Sequence, residues 1–399
     1  MSSQPRIDLF DHRQTQNLWD LTREWRASRP VVWADENYAY VSRWADCWQV
    51  LRDPRLFSNA NGFKSVDVPQ DERMLGEMDP PHHTVARRSM RQAFTRRQVE
   101  AERGFTREHA ERLFDALARR GKADLVSEFS DRLPNLVTLH LLGFPLEDAD
   151  QVVDWAKELL HSDWPALNRT ERGQGFGGAF PEFAGYIDAL VEERRAPDAP
   201  DDFVSRLARS EIDGVPLNTT QLRILTAHTI LGGISTSTNL LGSMLHRLLR
   251  EPALHARLRD APEHIPAAVD ESLRLDPPVL FVLRNCTADT EIAGEKIRAG
   301  QRVAVGIASA NRDERVFDDP DAFRLDRGVP RHISFSGGAH LCMGAALARL
   351  VGCETLGAFT RRFAPGDVSL APGFVFEGVP VFLEYGPHHL DVEFVAPAP

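Results

Sequence analysis

Cysteine is scarce in this 399-residue chain, with four in all: Cys47, Cys286, Cys342 and Cys353. So few, so scattered, exclude a disulfide framework and point to a reducing compartment. Long apolar runs are missing as well. The most apolar long segment, 222–249, carries Arg223, His228, Arg247 and many hydroxyls, so it reads as a buried helix and not a membrane span. Met1-Ser2-Ser3-Gln4-Pro5-Arg6-Ile7-Asp8 is polar and leads into no apolar stretch. Neither a secretion signal nor a membrane anchor is expected, and the expected location is the cytoplasm. Positive charge is in deficit: 47 Lys and Arg against 58 Asp and Glu leave a net charge of −11, which argues against nucleic-acid binding. No linker rich in Gly, Ser or Pro divides the chain, and no repeat appears. With 42% hydrophobic residues the chain can bury a large core, and one domain is expected.

The patterning is mainly helical. Pro30-Val31-Val32-Trp33 and Ala39-Tyr40-Val41-Ser42 predict a hairpin around a turn at Asp35-Glu36-Asn37. From about 81 to 209 apolar residues recur three and four apart, as in Leu133, Leu136, Val137 and Leu141, which predicts helices. A long helix should start near Asn218, a good cap, and run to Arg250 before Pro252, roughly 45–50 Å at 1.5 Å per residue. Strand-like pieces return at 290–297, 302–306 and 374–385. Gly173-Gln174-Gly175-Phe176-Gly177-Gly178 fits the G-x-G-x-x-G dinucleotide fingerprint, but Asn168-Arg169-Thr170-Glu171-Arg172 before it is not a strand. A loop between two helices, serving as a lid over a pocket, fits that context better.

The chemistry is concentrated near the C-terminus, in Phe335-Ser336-Gly337-Gly338-Ala339-His340-Leu341-Cys342-Met343-Gly344 followed by Ala345-Ala346-Leu347-Ala348-Arg349. This puts Cys342 at the mouth of a helix behind a glycine-rich turn, where the helix dipole and loop amides favour a thiolate. Gly338 and Gly344, lacking Cβ atoms, let backbone and a flat ligand approach closely. An iron-ligating thiolate has these needs. The bland reading is a buried cysteine after a glycine turn. The run resembles the haem-binding signature of the cytochrome P-450 family, matching at Phe335, Gly338, His340, Cys342, Gly344 and Leu347-Ala348-Arg349.

That resemblance implies haem b with Cys342 as its axial ligand, and roles for three further motifs. Glu271-Ser272-Leu273-Arg274 looks like the family's ExxR pair, a structural network closed by the run from Phe317 to Arg327. His83 and Arg87 share a helix face at i and i+4, and with Arg284 and His340 they match the partners of the haem propionates, Arg88 being a substitute for Arg87. Gly232-Gly233-Ile234-Ser235-Thr236 resembles the oxygen-activation motif. Two glycines inside a helix each cost about 1 kcal/mol against alanine, and Thr236 can bond the Gly232 carbonyl, opening a groove. Ser235 stands where the family usually has an acid.

The implied fold is mainly α with a small β-rich lobe, one haem-thiolate domain over 1–399. Residues 30–60, 290–306 and 374–395 would form the β lobe, with 81–275 and 342–362 the helical lobe and haem between the long helix and the cysteine loop. The implied activity is O2-dependent monooxygenation, with electrons from a separate ferredoxin and ferredoxin reductase because the chain carries no flavin or iron–sulfur module. A peroxide-driven peroxygenase, an oxidative coupling or rearrangement enzyme, and a non-catalytic haem sensor are the alternatives. The pocket segments should be the loop after Phe57, 155–180, the groove side of the long helix, 279–283 and 381–384. Phe281, Phe382 and Trp164 among them suggest a hydrophobic or aromatic substrate. Arg87, Arg88, Arg91, Arg96 and Arg97, with no acid between Ala86 and Arg97, form a local positive run that would dock an acidic ferredoxin.

Overall fold

The structure, a computed structural model, describes residues 7–60, 69–161, 175–212, 214–328 and 331–395. Helices dominate and the strands are short, as the periodicity predicts. The chain forms two compact units: Met1–Phe57, Arg103–Pro134 and Thr236–Pro399 make the first, Ser58–Glu102 and Asn135–Ser235 the second. Six helices concern the site: α1 (Trp44–Arg52), α2 (His82–Ala93), α3 (Arg132–Leu142), α4 (Thr219–Arg250), α5 (Ile265–Leu275) and α6 (Ala345–Arg362).

The expected hairpin is present. Val31–Trp33 pairs antiparallel with Tyr38–Val41, and Asp35 Oδ1 accepts the amides of Asn37 at 2.7 Å and Tyr38 at 2.9 Å, locking the turn. Tyr38–Val41 pairs parallel with Arg302–Val305, which pairs antiparallel with Val282–Cys286, placing Arg284 opposite Val303. Side chains from this sheet and from α1 make a core that includes Val41, Cys47, Val50, Leu51, Val303, Val305 and Ile333. Burial of each Val, Leu or Ile among them contributes about 1.5–3 kcal/mol, and Ile333 ties the entry of the cysteine loop to this core.

Two sequence expectations need correction. The segment 374–385 forms no strand among the described residues, only isolated bridges between Val279 and Glu384 and between Gly378 and Pro387. Gly378, Pro380, Gly386 and Pro387 interrupt any ladder there. The strands lie instead at Val368–Leu370 and Asp391–Phe394. The latter also pairs with Lys122–Asp124, inside the stretch expected to be wholly helical. Three residues are too few for a period, so that strand exists only because it has a partner.

α4 starts where expected. Asn218 Oδ1 accepts the Gln221 amide at 2.9 Å and Gln221 Oε1 accepts the Asn218 amide at 3.0 Å, a reciprocal cap. Pro252 does more than stop α4, since it opens the next helix, Pro252–Asp260. The paired glycines of α4 have different surroundings. A Cβ on Gly233 would lie 2.5 Å from Thr138 Oγ1 of α3, whereas a Cβ on Gly232 would meet nothing within 4 Å. Gly233 is therefore a packing glycine, and Gly232 borders open space.

Gly233→Ala should lower the urea midpoint by an amount equivalent to about 1–2 kcal/mol, since overpacking outweighs the gain in helix propensity. Gly232→Ala should hold or raise it. Equal stability of the two variants would remove the packing assignment.

Candidate active site

α5 supplies the frame. The Glu271 and Arg274 side chains are 1% and 0% exposed and bond twice, Nη2 to Oε1 at 2.7 Å and Nε to Oε2 at 2.9 Å. Arg274 also donates to the carbonyls of Asn311 (2.9 Å), Pro320 (2.7 Å) and Ala322 (3.0 Å). Glu271 Oε1 accepts in addition the Arg324 amide at 3.0 Å and Arg327 Nε at 2.8 Å. Burial alone would raise the Glu271 pKa, but the Arg274 and Arg327 hydrogen bonds hold the carboxyl below its usual range. The run from Phe317 to Arg327 thus closes around the pair, with the Phe317 ring 5.2 Å below the Arg274 guanidinium.

From this frame a hydrogen-bond chain reaches the cysteine loop. Asn311, whose carbonyl Arg274 holds, accepts the Ile333 amide at 2.8 Å through Oδ1 and donates to Ser334 Oγ at 2.8 Å. Ser334 Oγ donates in turn to the Leu273 carbonyl at 2.6 Å. On the other side the loop lies against α1. Trp44 Nε1 donates to the Arg331 carbonyl at 2.8 Å, and a Cβ on Gly337 would fall 2.3 Å from the Trp48 ring. Gly338, at φ +63°, would place a Cβ 2.4 Å from the Leu51 carbonyl oxygen, so conformation and space both demand glycine. Ser336 adopts φ +61° and keeps a buried hydroxyl with no hydrogen-bond partner, a strained residue within the loop.

The loop closes when the Cys342 amide donates to the Phe335 carbonyl at 2.9 Å. Gly344 caps α6, so the cysteine sits two residues before the cap, at the positive end of an 18-residue helix. Cys342 is exposed and Leu341 beside it is 47% exposed, an apolar face next to a thiol. A Cβ on Gly344 would stand 3.8 Å from the sulfur. The other thiols differ. Burial raises the pKa of Cys47 and Cys286, and pushes Cys353 up to about 11, so all three stay protonated at neutral pH.

The donor set fits haem. Among the described residues no group of three or more His, Cys, Asp or Glu side chains could hold a metal ion. An iron at Cys342 would take one protein ligand, as a macrocycle supplying four nitrogens allows. The glycine-lined approach to the sulfur and the exposed Leu341 suit a flat apolar group.

The remaining expected residues fall in both units. Arg284 is buried in Val282–Cys286 and donates to the Leu283 carbonyl at 2.8 Å, and half-buried His340 ends the short turn Gly338–His340. Both share the first unit with Cys342, Glu271 and Arg274. In the second unit, α2 carries His83 and Arg87 and leaves Arg88 exposed, which favours Arg87 as the partner of His83. Burial first, then the Arg87 charge, lowers the His83 pKa to about 4, against a smaller opposite pull from Asp79. His83 is therefore neutral at pH 7. Gly232, Gly233 and Ser235 lie on the second-unit part of α4, and Thr236 is the first residue beyond it.

Of the G-x-G-x-x-G run, Gly173 and Gln174 lie outside the described residues, as do Trp164 and most of the loop after Phe57. Gly175 opens the short helix Gly175–Ala179, where a Cβ on Gly177 would fall 2.9 Å from Arg223 Nη1. Gly177 therefore serves packing. Sequence reasoning missed the specific parts of Asn311, Arg327, Asp270 and Arg349. Arg327 had a signal as the last residue of the run quoted with the ExxR pair, and Arg349 as the end of the matched cysteine run, but neither signal named its partner.

Comparison with known proteins agrees with this geometry. Residues 31–364 match the family described as cytochrome P-450. The polyketide biosynthesis cytochrome P-450 PksS of Bacillus subtilis (strain 168) is 34% identical over 344 residues, 83% of each chain. A steroid C26-monooxygenase of Mycobacterium tuberculosis (strain ATCC 25618 / H37Rv) is 33% identical over 355 residues, 88% of this chain and 87% of that one. A solved structure of a mutant of the P-450 EryK in complex with erythromycin B superposes with a TM-score of 0.86 at 31% identity, covering 98% of this chain and 99% of its own. With a cysteine at a helix mouth, a closed ExxR frame and matches of this extent, the chain belongs to the cytochrome P-450 family, monooxygenase-type oxidoreductases that carry haem b on a cysteine thiolate.

Proposed function

We propose that this protein inserts one oxygen atom from O2 into a small hydrophobic or aromatic molecule, by hydroxylation, epoxidation or dealkylation. The observation that carries the reading is Cys342, the one exposed cysteine, held at the mouth of α6 by a loop anchored to the buried pair on α5. When bound, haem b supplies the O2 chemistry, placing one oxygen atom in the substrate and releasing the other as water.

The residues divide the remaining work. Cys342 holds the iron as thiolate, favoured by the helix dipole. Arg284 and His340, with His83 and Arg87, hold the propionates, and the guanidinium fork suits a carboxylate. Gly232 leaves room along α4. The hydroxyls of Ser235 and Thr236 pass protons by hydrogen bonds, since neither can store a charge as a carboxylate would. Val279, Val282, Val381 and Phe382 are partly exposed and offer an apolar wall to the substrate. PksS, named for polyketide biosynthesis, and EryK, seen with erythromycin B, support a hydrophobic natural-product substrate.

Electrons should come from a ferredoxin and its reductase. Arg88, Arg91, Arg96 and Arg97 are exposed, a positive surface on a protein of net charge −11 that would steer an acidic partner. No helix among the described residues is long and apolar enough to cross a membrane. Ser235, in the usual place of an acid, favours one second reading: a reaction that needs fewer protons, as in a peroxide-driven or coupling enzyme. Turnover with a ferredoxin pair and NAD(P)H, set against turnover with H2O2 alone, separates the two.

Two mutational outcomes are expected. The reduced carbon-monoxide complex should show the absorption of thiolate-ligated haem. Cys342→Ala should abolish it and Cys353→Ala should spare it, whereas the reverse pattern would move the ligand. Thr236→Ala should release more peroxide at the expense of product. Ser235→Ala should slow turnover, and Ser235→Asp should leave it similar or higher. Unchanged rate and coupling in Thr236→Ala would end the proton-relay role.

A further inference from the structure

Asp270 precedes Glu271 on α5 but serves a different part of the molecule. Its Oδ1 accepts a hydrogen bond from Arg349 Nε at 2.7 Å and faces His332 Nε2 at 3.5 Å. The Asp270 side chain is largely buried and that of His332 almost wholly so. His332 Nδ1 accepts the Ser334 amide at 3.3 Å, so its proton sits on Nε2, toward Asp270. Arg349 lies in the second turn of α6, and its guanidinium carbon stands 4.6 Å over the Phe335 ring. Phe335 in turn accepts the Cys342 amide, and its ring lies 5.8 Å from that of His332. One carboxylate therefore gathers the cation that lies on Phe335 and the imidazole at the entry of the same loop.

This arrangement has a charge as well as a shape. Arg349 brings a positive charge against the residue whose backbone fixes the cysteine, and Asp270 balances it at short range. Partly buried charges are weakly screened, so the balance should be felt at the sulfur. We infer that Asp270 is a positioning residue for the Cys342 thiolate, holding Arg349 against Phe335 and setting the charge around the loop. The inference rests on Cys342 as the iron ligand. It concerns a different pair from Glu271 and Arg274, whose bonds run to the Phe317–Arg327 segment.

The sign follows from electrostatics. Reduction adds an electron beside a thiolate that is already negative. Removing the Asp270 charge leaves Arg349 unbalanced, which eases reduction; removing the Arg349 charge opposes it. The test uses purified holoprotein and measures the ferric/ferrous potential and the absorption of the reduced carbon-monoxide complex. Asp270→Asn should shift the potential to more positive values and Arg349→Gln to more negative ones. The double variant should return toward the parent, and Asp270→Glu should stay close to it. Opposite signs with recovery in the double variant are a charge signature that a packing defect does not produce. Shifts of the same sign, unmoved potentials, or loss of haem from both single variants without recovery in the double variant would each overturn the inference. A parent protein without the thiolate-type band would instead overturn the assignment of Cys342, so the two failures are told apart.

Discussion

Two opposite charges buried away from water organise the region around the cysteine. Glu271 and Arg274 would be a liability if left half-bonded, because desolvation of each ion costs several kcal/mol. They are tolerable because the surrounding backbone meets them: Arg274 takes three carbonyls, and Glu271 takes an amide and a second arginine. Satisfying the pair forces the Phe317–Arg327 segment to wrap round it. Asn311, caught in the same wrapping, then hands its side chain to the cysteine loop.

The loop depends on that frame because it has little of its own. It contains no regular strand and only a single helical turn, Gly338–His340, and its glycines are chosen by α1, which leaves no space for side chains at Gly337 or Gly338. Ser336 accepts a left-handed backbone and an unbonded hydroxyl, a local strain the surroundings must hold down. A ligand cysteine on such a loop needs anchors at both ends. Ile333 and Ser334 are tied to α5 through Asn311 and Leu273, and Cys342 to Phe335 by its amide.

α4 shows how one motif can hold two unrelated requirements. Gly232 and Gly233 look equivalent in the sequence, and both lower helix propensity. Yet Gly233 answers to Thr138 across a tight helix contact, while Gly232 borders empty space. Ser235 follows, where the family usually has an acid, and in the proposed proton relay a hydroxyl can pass protons only by hydrogen bonds, without holding the charge a carboxylate would.

Much of the fold was legible in advance. The capped 32-residue helix, the hairpin at Asp35 and the cysteine run carry local signals: side chains that satisfy end amides, a turn residue that bonds its own backbone, glycines before a thiol. The Lys122–Asp124 strand and the loss of regular structure in 374–385 did not, because a strand is defined by its partner and not by its own three residues. By itself the sequence determined which residue types stand at Cys342, Thr236, Glu271 and Arg274, and in what order. Only the tertiary structure decided that Cys342 is the exposed thiol, that Asn311 links the buried pair to the loop, and that Asp270 reaches Arg349 on another helix. Those are contacts between residues tens of positions apart, fixed by packing and burial, which no local pattern encodes.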